Sequence, residues 1–477
     1  MTTTKDYHQI LSDHLTVEPT SNQQILLKKW AEFLSHKLIK SAFILKGYAG
    51  TGKTTMLSVL IKALKKQGNK TVLLAPTGRA AKVLSAYSGE EASTIHRKIY
   101  FQKSKQGAVF FVRQRNLHKN TLFIVDEASM IGSSGGSGGS FISKSKSLLE
   151  DLIDYVFEGE NCKLLLVGDV AQLPPVGLNL SPALDQDYLK ASFGLNLDLV
   201  ELTEVVRQKE ASGVLGYATE VRKFAVESQN DHVVFDALYD DVKIINGIEL
   251  EEEITHSYDT VGKENTLIIT RSNKRANLFN QHIRSRILWM EEEICAGDLM
   301  MVVKNNYFWV EPEYNTFIAN GDIIEIIKVN YFEERFGFRF ADAIIKLQDY
   351  PNMPEIEVKL LVDTIMVEMP ALSREDQFRL YEEVLNSYEH EPSRQKKREL
   401  LKKDPYYNAL QVKFSYAVTC HKAQGGQWDV VFLEQGYLTE DMINQEWHRW
   451  LYTGMTRATK KLYLVNFHPR FTAEIID

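Results

Sequence analysis

The chain has 477 residues, 44% of them hydrophobic and 25% charged, and its formal net charge is −7. That length exceeds one compact core and leads to about two to four domains, while the composition excludes global disorder. The acidic balance excludes a simple basic nucleic-acid coat but not a local basic channel, because binding depends on where the charge sits.

Residues 43–45, Phe-Ile-Leu, read as a short buried parallel strand, and Leu57, Leu60, Ile61 and Leu64 then recur at helical spacing. Between them lies Gly47-Tyr48-Ala49-Gly50-Thr51-Gly52-Lys53-Thr54, followed by Thr55, a complete G-x-x-x-x-G-K-[ST] phosphate loop. Strand, glycine loop and helix together make a nucleotide site. The glycines let backbone N–H groups turn toward phosphate oxygens, and the helix N-terminus adds partial positive charge. ATP and Mg²⁺ are the ligands this implies: Lys53 should reach the β- and γ-phosphates, and the Thr54 hydroxyl should ligate the metal.

A second apolar run covers 72–75. From Arg97 to Val125 there is no Asp or Glu, whereas Arg97, Lys98, Lys103, Lys105, Arg113, Arg115 and Lys119 are basic and Tyr100, Phe101, Phe110 and Phe111 are interleaved. In an acidic protein such a stretch suits phosphate contact and base stacking. The competing reading is a basic hairpin whose aromatics pack on the lobe below. The run 122–125 ends in Asp126 and Glu127, the natural Mg²⁺ partner and water activator. Residues 132–140 have linker composition, whether as a natural surface loop or an engineered replacement, and carry no chemistry. After the run 164–167 comes Gly168-Asp169-Val170-Ala171-Gln172, in which Gln172 can hydrogen-bond a γ-phosphate or its attacking water.

Further apolar runs at 267–270, 416–419, 430–433 and 462–465 make a second α/β set. The fold class is therefore α/β, with two parallel-sheet lobes and a cleft between them. Short β-like runs at 299–303, 322–328, 338–340, 343–347 and 357–361 read as a small antiparallel barrel inserted in the second lobe. A charged helical stretch follows from 373 to 403, whose basic residues read as a solvated face. Cys162, Cys295 and Cys420 are far apart and in no metal spacing, which fits a reducing, cytoplasmic-type compartment without disulfides. No apolar run approaches a membrane span, and residues 1–14 are too polar for a secretory signal.

With its phosphate loop, Asp126-Glu127 and Gly168-Asp169-Val170-Ala171-Gln172, the chain resembles a superfamily 1 helicase of the RecD/Dda-like branch, over residues 20–468. The resemblance implies two RecA-like lobes, the first from 1–96 and 120–198 and the second from 199–290 and 411–477. It also implies a hairpin insert at 97–119 in the first and an SH3-like β-barrel insert at 291–410 in the second. Gln23 falls at the family's adenine-reading position. Pro76, Thr77 and Arg79, then Thr94 and His96, fall in strand-contacting motifs. Arg207 matches a γ-phosphate arginine, and Arg457, in Tyr452-Thr453-Gly454-Met455-Thr456-Arg457, takes the arginine-finger place. Thr419, His421, Lys422 and Gly425 lie in a motif that contacts both ATP and DNA. The implied activity is that of an ATP-dependent DNA helicase moving 5′ to 3′ on single strands. It would act as a monomer on single-stranded and forked duplex DNA in a bacterial or phage-type cell interior. The alternatives are a phosphate-loop NTPase that switches a protein partner, and a helicase of 3′ to 5′ polarity.

Residues 109–112 lie where the related helicases carry a protruding wedge, with Phe111 as the duplex-splitting residue and Phe110 as its rival. Phe111→Ala is expected to slow unwinding while ATPase stays normal. Duplex unwinding at the wild-type rate would remove the wedge role from Phe111.

Overall fold

The computed structural model describes residues 3–36, 38–105, 108–132, 147–206, 212–227, 232–236, 239–311, 317–348, 350 and 352–472. In chain order the first strands are β1 (Ser41–Gly47), β2 (Lys70–Ala75), β3 (Ala92–Thr94), the antiparallel hairpin β4 (Tyr100–Lys105) and β5 (Ala108–Arg113), then β6 (Thr121–Val125), β7 (Lys163–Gly168) and β8 (Asn196–Leu202). All but the hairpin form one parallel sheet in the order β3-β2-β6-β7-β1-β8. Its central strands are near-continuous apolar runs because helices cover both faces. Ile44, Phe123, Leu164 and Leu166 point to one face, where helix Leu148–Glu158 packs Leu149, Leu152 and Val156. Phe43, Leu45, Ile124 and Val167 point to the other, under Trp30 of helix Ser21–Ser35 and Leu57 and Leu60 of helix Lys53–Lys66. β8 pairs with β1 as far as Leu202, beyond the expected division at residue 198.

The remaining strands are β9 (Val242–Ile245), β10 (Thr266–Thr270), β11 (Leu299–Val302), β12 (Ile323–Arg335), β13 (Phe338–Leu347), β14 (Ile356–Leu361), β15 (Leu410–Phe414), β16 (Ala417–Thr419), β17 (Trp428–Glu434) and β18 (Ala458–Val465). A second parallel sheet runs β16-β10-β17-β18-β9, and β11 to β15 close a five-stranded barrel. The barrel differs from expectation in two ways. Its fifth strand is β15, which pairs parallel with β14, so the barrel is not wholly antiparallel. The expected runs 338–340 and 343–347 are one strand, because the ammonium of Lys359 on neighbouring β14 neutralises Asp342 and Glu333 across the ladder. The charged stretch 373–403 divides into helices Arg374–Asn386 and Arg394–Lys402, the second capped by Ser393. Among the described residues no helix is long and apolar enough to cross a membrane, and the three cysteines are free thiols.

The barrel is tied to the second sheet by one buried ion pair. Arg284 donates from Nε to Asp298 Oδ1 at 2.8 Å and from Nη2 to Oδ2 at 2.9 Å. The same carboxylate accepts from Tyr416 OH at 3.0 Å and from the Cys295 N–H at 2.7 Å, and Asp298 is fully buried. Asp298→Asn leaves a buried guanidinium without its counter-charge and should destabilise this region by about 3–5 kcal/mol. Denaturant unfolding followed by tryptophan fluorescence measures this; an unchanged midpoint would show that the pair does not hold the barrel.

Candidate nucleotide and strand-contacting site

β1 ends at Gly47 and helix Lys53–Lys66 begins at Lys53, so the phosphate loop is the turn between them. Gly50 and Gly52 have φ of 77° and 85°, a left-handed conformation that strains any side chain. A Cβ on Gly47 would meet Lys53 Cγ at 2.8 Å, and one on Gly52 would meet Gln23 Nε2 at 2.6 Å. The loop is therefore a cradle of bare backbone. Lys53 Nζ donates to the carbonyls of Gly47 (2.6 Å) and Tyr48 (2.8 Å) and lies 3.8 Å from Asp169 Oδ2. Gln23 is buried; its Nε2 donates to Thr51 O at 3.1 Å and its Oε1 accepts from the Thr20 N–H at 3.1 Å. It thus caps its own helix and braces the loop. Thr54 and Thr55 are exposed on the first turn of the following helix.

Asp126 and Glu127 follow the end of β6. Asp126 Oδ2 accepts from Tyr87 OH at 2.7 Å, and Oδ1 accepts from the Glu127 N–H at 2.9 Å. Glu127 itself has φ 52°, a strain of the kind that persists at functional sites. Burial pushes both carboxyls above the usual carboxylate range. At Glu127 the charges of Arg457 and Lys53 oppose that rise, while Asp126 and Asp169 add to it. One carboxylate thus feels a lysine from the first sheet unit and an arginine from the second.

Gln172 is buried, and its Oε1 has no partner among the described residues; the same holds for Ser129 Oγ. Buried polar atoms are normally paired, so these two fit loops built to meet a polar ligand and its water. The oxygen donors Thr54 and Asp126 fit Mg²⁺, which takes one or two carboxylates plus phosphate oxygens rather than an all-protein cage. No cluster of three or more His, Cys, Asp or Glu suited to a metal occurs among the described residues.

From the second unit, helix Gln445–Met455 reaches the loop directly. Tyr452 is buried; its hydroxyl accepts from the Ala49 N–H at 2.7 Å and donates to Asp169 Oδ2 at 2.6 Å. Thr453 Oγ1 accepts from the Leu173 N–H at 2.8 Å, and Gln424 Nε2 donates to Leu173 O at 2.7 Å. Arg457 is buried, donating to Thr453 O (3.1 Å), Gly426 O (3.2 Å) and Thr456 Oγ1 (3.1 Å). The Arg222 guanidinium lies 4.3 Å from the centre of the Tyr48 ring.

Of the strand-contacting candidates, Thr77 and Arg79 of the first unit meet the second. Pro76 is half-buried, and Thr77 caps helix Gly78–Ser88 by accepting from the Ala80 N–H at 3.2 Å. Arg79 stacks 3.9 Å from the Trp428 ring and donates to Gln427 O at 3.3 Å. Thr94 caps the short helix Ile95–Ile99, and the His96 ring lies 5.7 Å from that of Tyr100, with burial holding the imidazole below its ordinary pKa. Phe110 and Phe111 fall on β5, but their side chains lie outside the described set. Thr419 makes no capping bond, and with His421 it borders a cleft of about 390 Å³ that Arg271 and Trp450 also line. Burial lowers His421 as well, and pushes the Lys422 ammonium down to about 8. Lys413 is likewise pushed to about 8, by burial and then by Lys422 beside it. Gly425 has φ 74°, and a Cβ there would meet Ala80 Cβ at 2.8 Å and Thr77 Oγ1 at 3.3 Å.

A family model described as an AAA domain matches residues 31–237, and one described as a UvrD-like helicase C-terminal domain matches residues 414–465. The ATP-dependent DNA helicase dda of Enterobacteria phage T4 is 27% identical over 330 residues, covering 67% of this chain and 69% of that protein. The ATP-dependent RecD2 DNA helicase of Deinococcus radiodurans is 31% identical over 186 residues, covering 39% of this chain and 21% of that one. Together these matches support a superfamily 1 helicase of the RecD/Dda-like branch, to which the chain is similar. A crystal structure of Pif1 helicase from Bacteroides with ADP-AlF3 and ssDNA aligns over 96% of this chain and 95% of that one, at 14% identity and a TM-score of 0.49.

In this chain the loop, Gln23, Lys53, Asp126, Glu127, Gln172 and Arg457 gather where the C-terminal ends of β1, β6 and β7 meet the second unit. Arg207 lies outside the described residues. Gly425 packs against Thr77 and Ala80 of the first unit. Four residues escaped the sequence reading: Tyr452, Asp169, Tyr87 and Lys413. Tyr452 and Asp169 stand inside the quoted motifs, but nothing local says that they bond each other. Tyr87 sits on a helix face whose spacing reads as core, and Lys413 in an apolar strand that carries no motif.

Lys53→Ala should cut turnover at least about a hundredfold while leaving single-strand binding largely intact. Retained turnover would remove Lys53 from the chemistry. Arg457→Ala should lower kcat by about 10³ while weakening nucleotide binding far less, since finger contacts tighten in the transition state. Equal losses in steady-state turnover and in equilibrium nucleotide binding would count against that role.

Proposed function

We propose that the chain is an ATP-driven motor that moves 5′ to 3′ on single-stranded DNA and separates forked duplexes. The observation that carries this reading is that Tyr452 of the second unit, on the helix that leads to Arg457, bonds the Ala49 N–H of the phosphate loop and Asp169, whose carboxylate lies 3.8 Å from Lys53. In the proposed roles Lys53 and Arg457 face the γ-phosphate from opposite sides. Glu127 orients and deprotonates the attacking water, and the unpartnered Oε1 of Gln172 accepts from that water. Arg207 would add a second positive contact. Thr54 and Asp126 would hold Mg²⁺, which would supply charge neutralisation at the phosphates. Hydrolysis removes the group that both units hold, so chemical state becomes lobe movement. The reading makes β1–β3 and β6–β8 the core of the first lobe and β9, β10 and β16–β18 that of the second, with hairpin and barrel as inserts. A single chain supplies both Lys53 and Arg457, which supports action as a monomer.

The names of the relatives support the DNA substrate, since Dda and RecD2 are described as ATP-dependent DNA helicases. Phosphate contacts would come from Lys422 and Lys413, and further contacts from Thr77, Thr94, His96, Thr419 and His421. Turnover should be low alone and rise at least about tenfold with a single-stranded oligonucleotide. An unstimulated rate would favour the protein-switch alternative. Matched duplexes with a 5′ or a 3′ single-stranded tail then decide direction: unwinding only with the 3′ tail would reverse the assigned polarity.

A further inference from the structure

We propose that Tyr452 is a positioning residue that couples the placement of the Lys53 ammonium to the placement of Arg457, an inference that rests on the reading of this site as an ATPase. Four groups form one continuous chain. Lys53 Nζ lies 3.8 Å from Asp169 Oδ2, that same oxygen accepts from Tyr452 OH at 2.6 Å, and the Tyr452 oxygen accepts from the Ala49 N–H at 2.7 Å. Asp169 and Tyr452 are each 1% exposed, so water does not compete for the bond between them. The direction of the chain is fixed. Burial and the Asp169 charge hold the phenol far above its ordinary pKa, so Tyr452 stays protonated and donates to the carboxylate. Asp169 Oδ1 accepts from the Ala171 N–H at 2.9 Å, next to Gln172, so the same carboxylate also sets the start of the Gln172 turn.

The coupling follows from sharing one oxygen. A cation near Oδ2 weakens it as an acceptor for Tyr452. Drawing the ammonium toward phosphate oxygens returns full charge to Oδ2 and tightens the tyrosine bond. Tyr452 is rigidly joined to the finger, because Arg457 Nε bonds the carbonyl of Thr453, the next residue on the same helix. A tighter Tyr452 bond therefore draws the end of helix Gln445–Met455, and Arg457 with it, toward the phosphate loop. Arg222, lying over Tyr48 of that loop, shares the junction and opposes the acidic influence of Asp169 on Tyr452.

The test uses the full chain with Tyr452→Phe, which removes one oxygen and keeps the ring, together with Asp169→Asn and the double variant. ATP turnover is measured at saturating single-stranded oligonucleotide, per active site counted by binding of a fluorescent ATP analogue. Tyr452→Phe should lower kcat about tenfold or more with KM for ATP within about threefold, and the double variant should be no slower than the slower single one. A kcat within about twofold of wild type, or losses that multiply in the double variant, would overturn the proposal. Wild-type turnover with and without oligonucleotide decides the motor reading. The ratio of variant to wild-type kcat decides the part of Tyr452, whichever way that first comparison falls.

Discussion

Where the two sheets meet, buried polar groups have to satisfy one another because no water reaches them. The Ala49 N–H, the Asp169 carboxylate and the Tyr452 phenol do so as a set, and Thr453 and Gln424 complete the Leu173 peptide from both sides. An unpartnered carboxylate at the depth of Asp169 is costly, so the units cannot separate here without replacing each of these bonds. The loop that cradles phosphate is thereby held partly by the opposite half of the molecule. A site assembled this way senses the spacing of its halves through the same groups that surround the chemistry.

The sequence discloses the parts of this arrangement whose physics is local. A phosphate loop needs glycines where φ is positive and a lysine at the first helical position, and Gly50, Gly52 and Lys53 supply them in one short stretch. Parallel strands buried on both faces are apolar throughout, so β1, β6, β7 and β10 stand out without any alignment. Asp126 and Glu127 are legible because they end such a strand downstream of a phosphate loop, whereas an acidic pair at a strand end alone is as readily a solvated one. What depends on partners distant in the chain is hidden. Asp342 looks like a turn residue until Lys359 is placed opposite it, and β15 joins the barrel only through β11 and β14. Gln23 is visible by resemblance, yet its brace on Thr51 is a tertiary fact.

Buried cations at the other side of the junction obey a different constraint. Burial holds the Lys413 and Lys422 ammonium groups down, and Lys413, which also feels Lys422, donates to Val367 O. Lys413 lies near the end of the barrel and Lys422 follows the second sheet. The barrel also reaches back to the first unit, since a Cβ at Gly78 would fall 2.3 Å from Asp322 Oδ1, and Lys82 donates to Gln348 O at 3.3 Å. Three structural units therefore converge on the helix that begins after Thr77. A shift of any one of them alters its packing on that helix.

Gly425 meets that helix without a side chain. Its bare α-carbon faces Ala80 with less room than one methyl group requires, and its backbone is left-handed. Main chain there lies against a small side chain, a contact that no rotamer change can relieve. Even an alanine at this position would oblige one of the packed elements to shift, so the spacing of the halves at this point depends on a single missing methyl group.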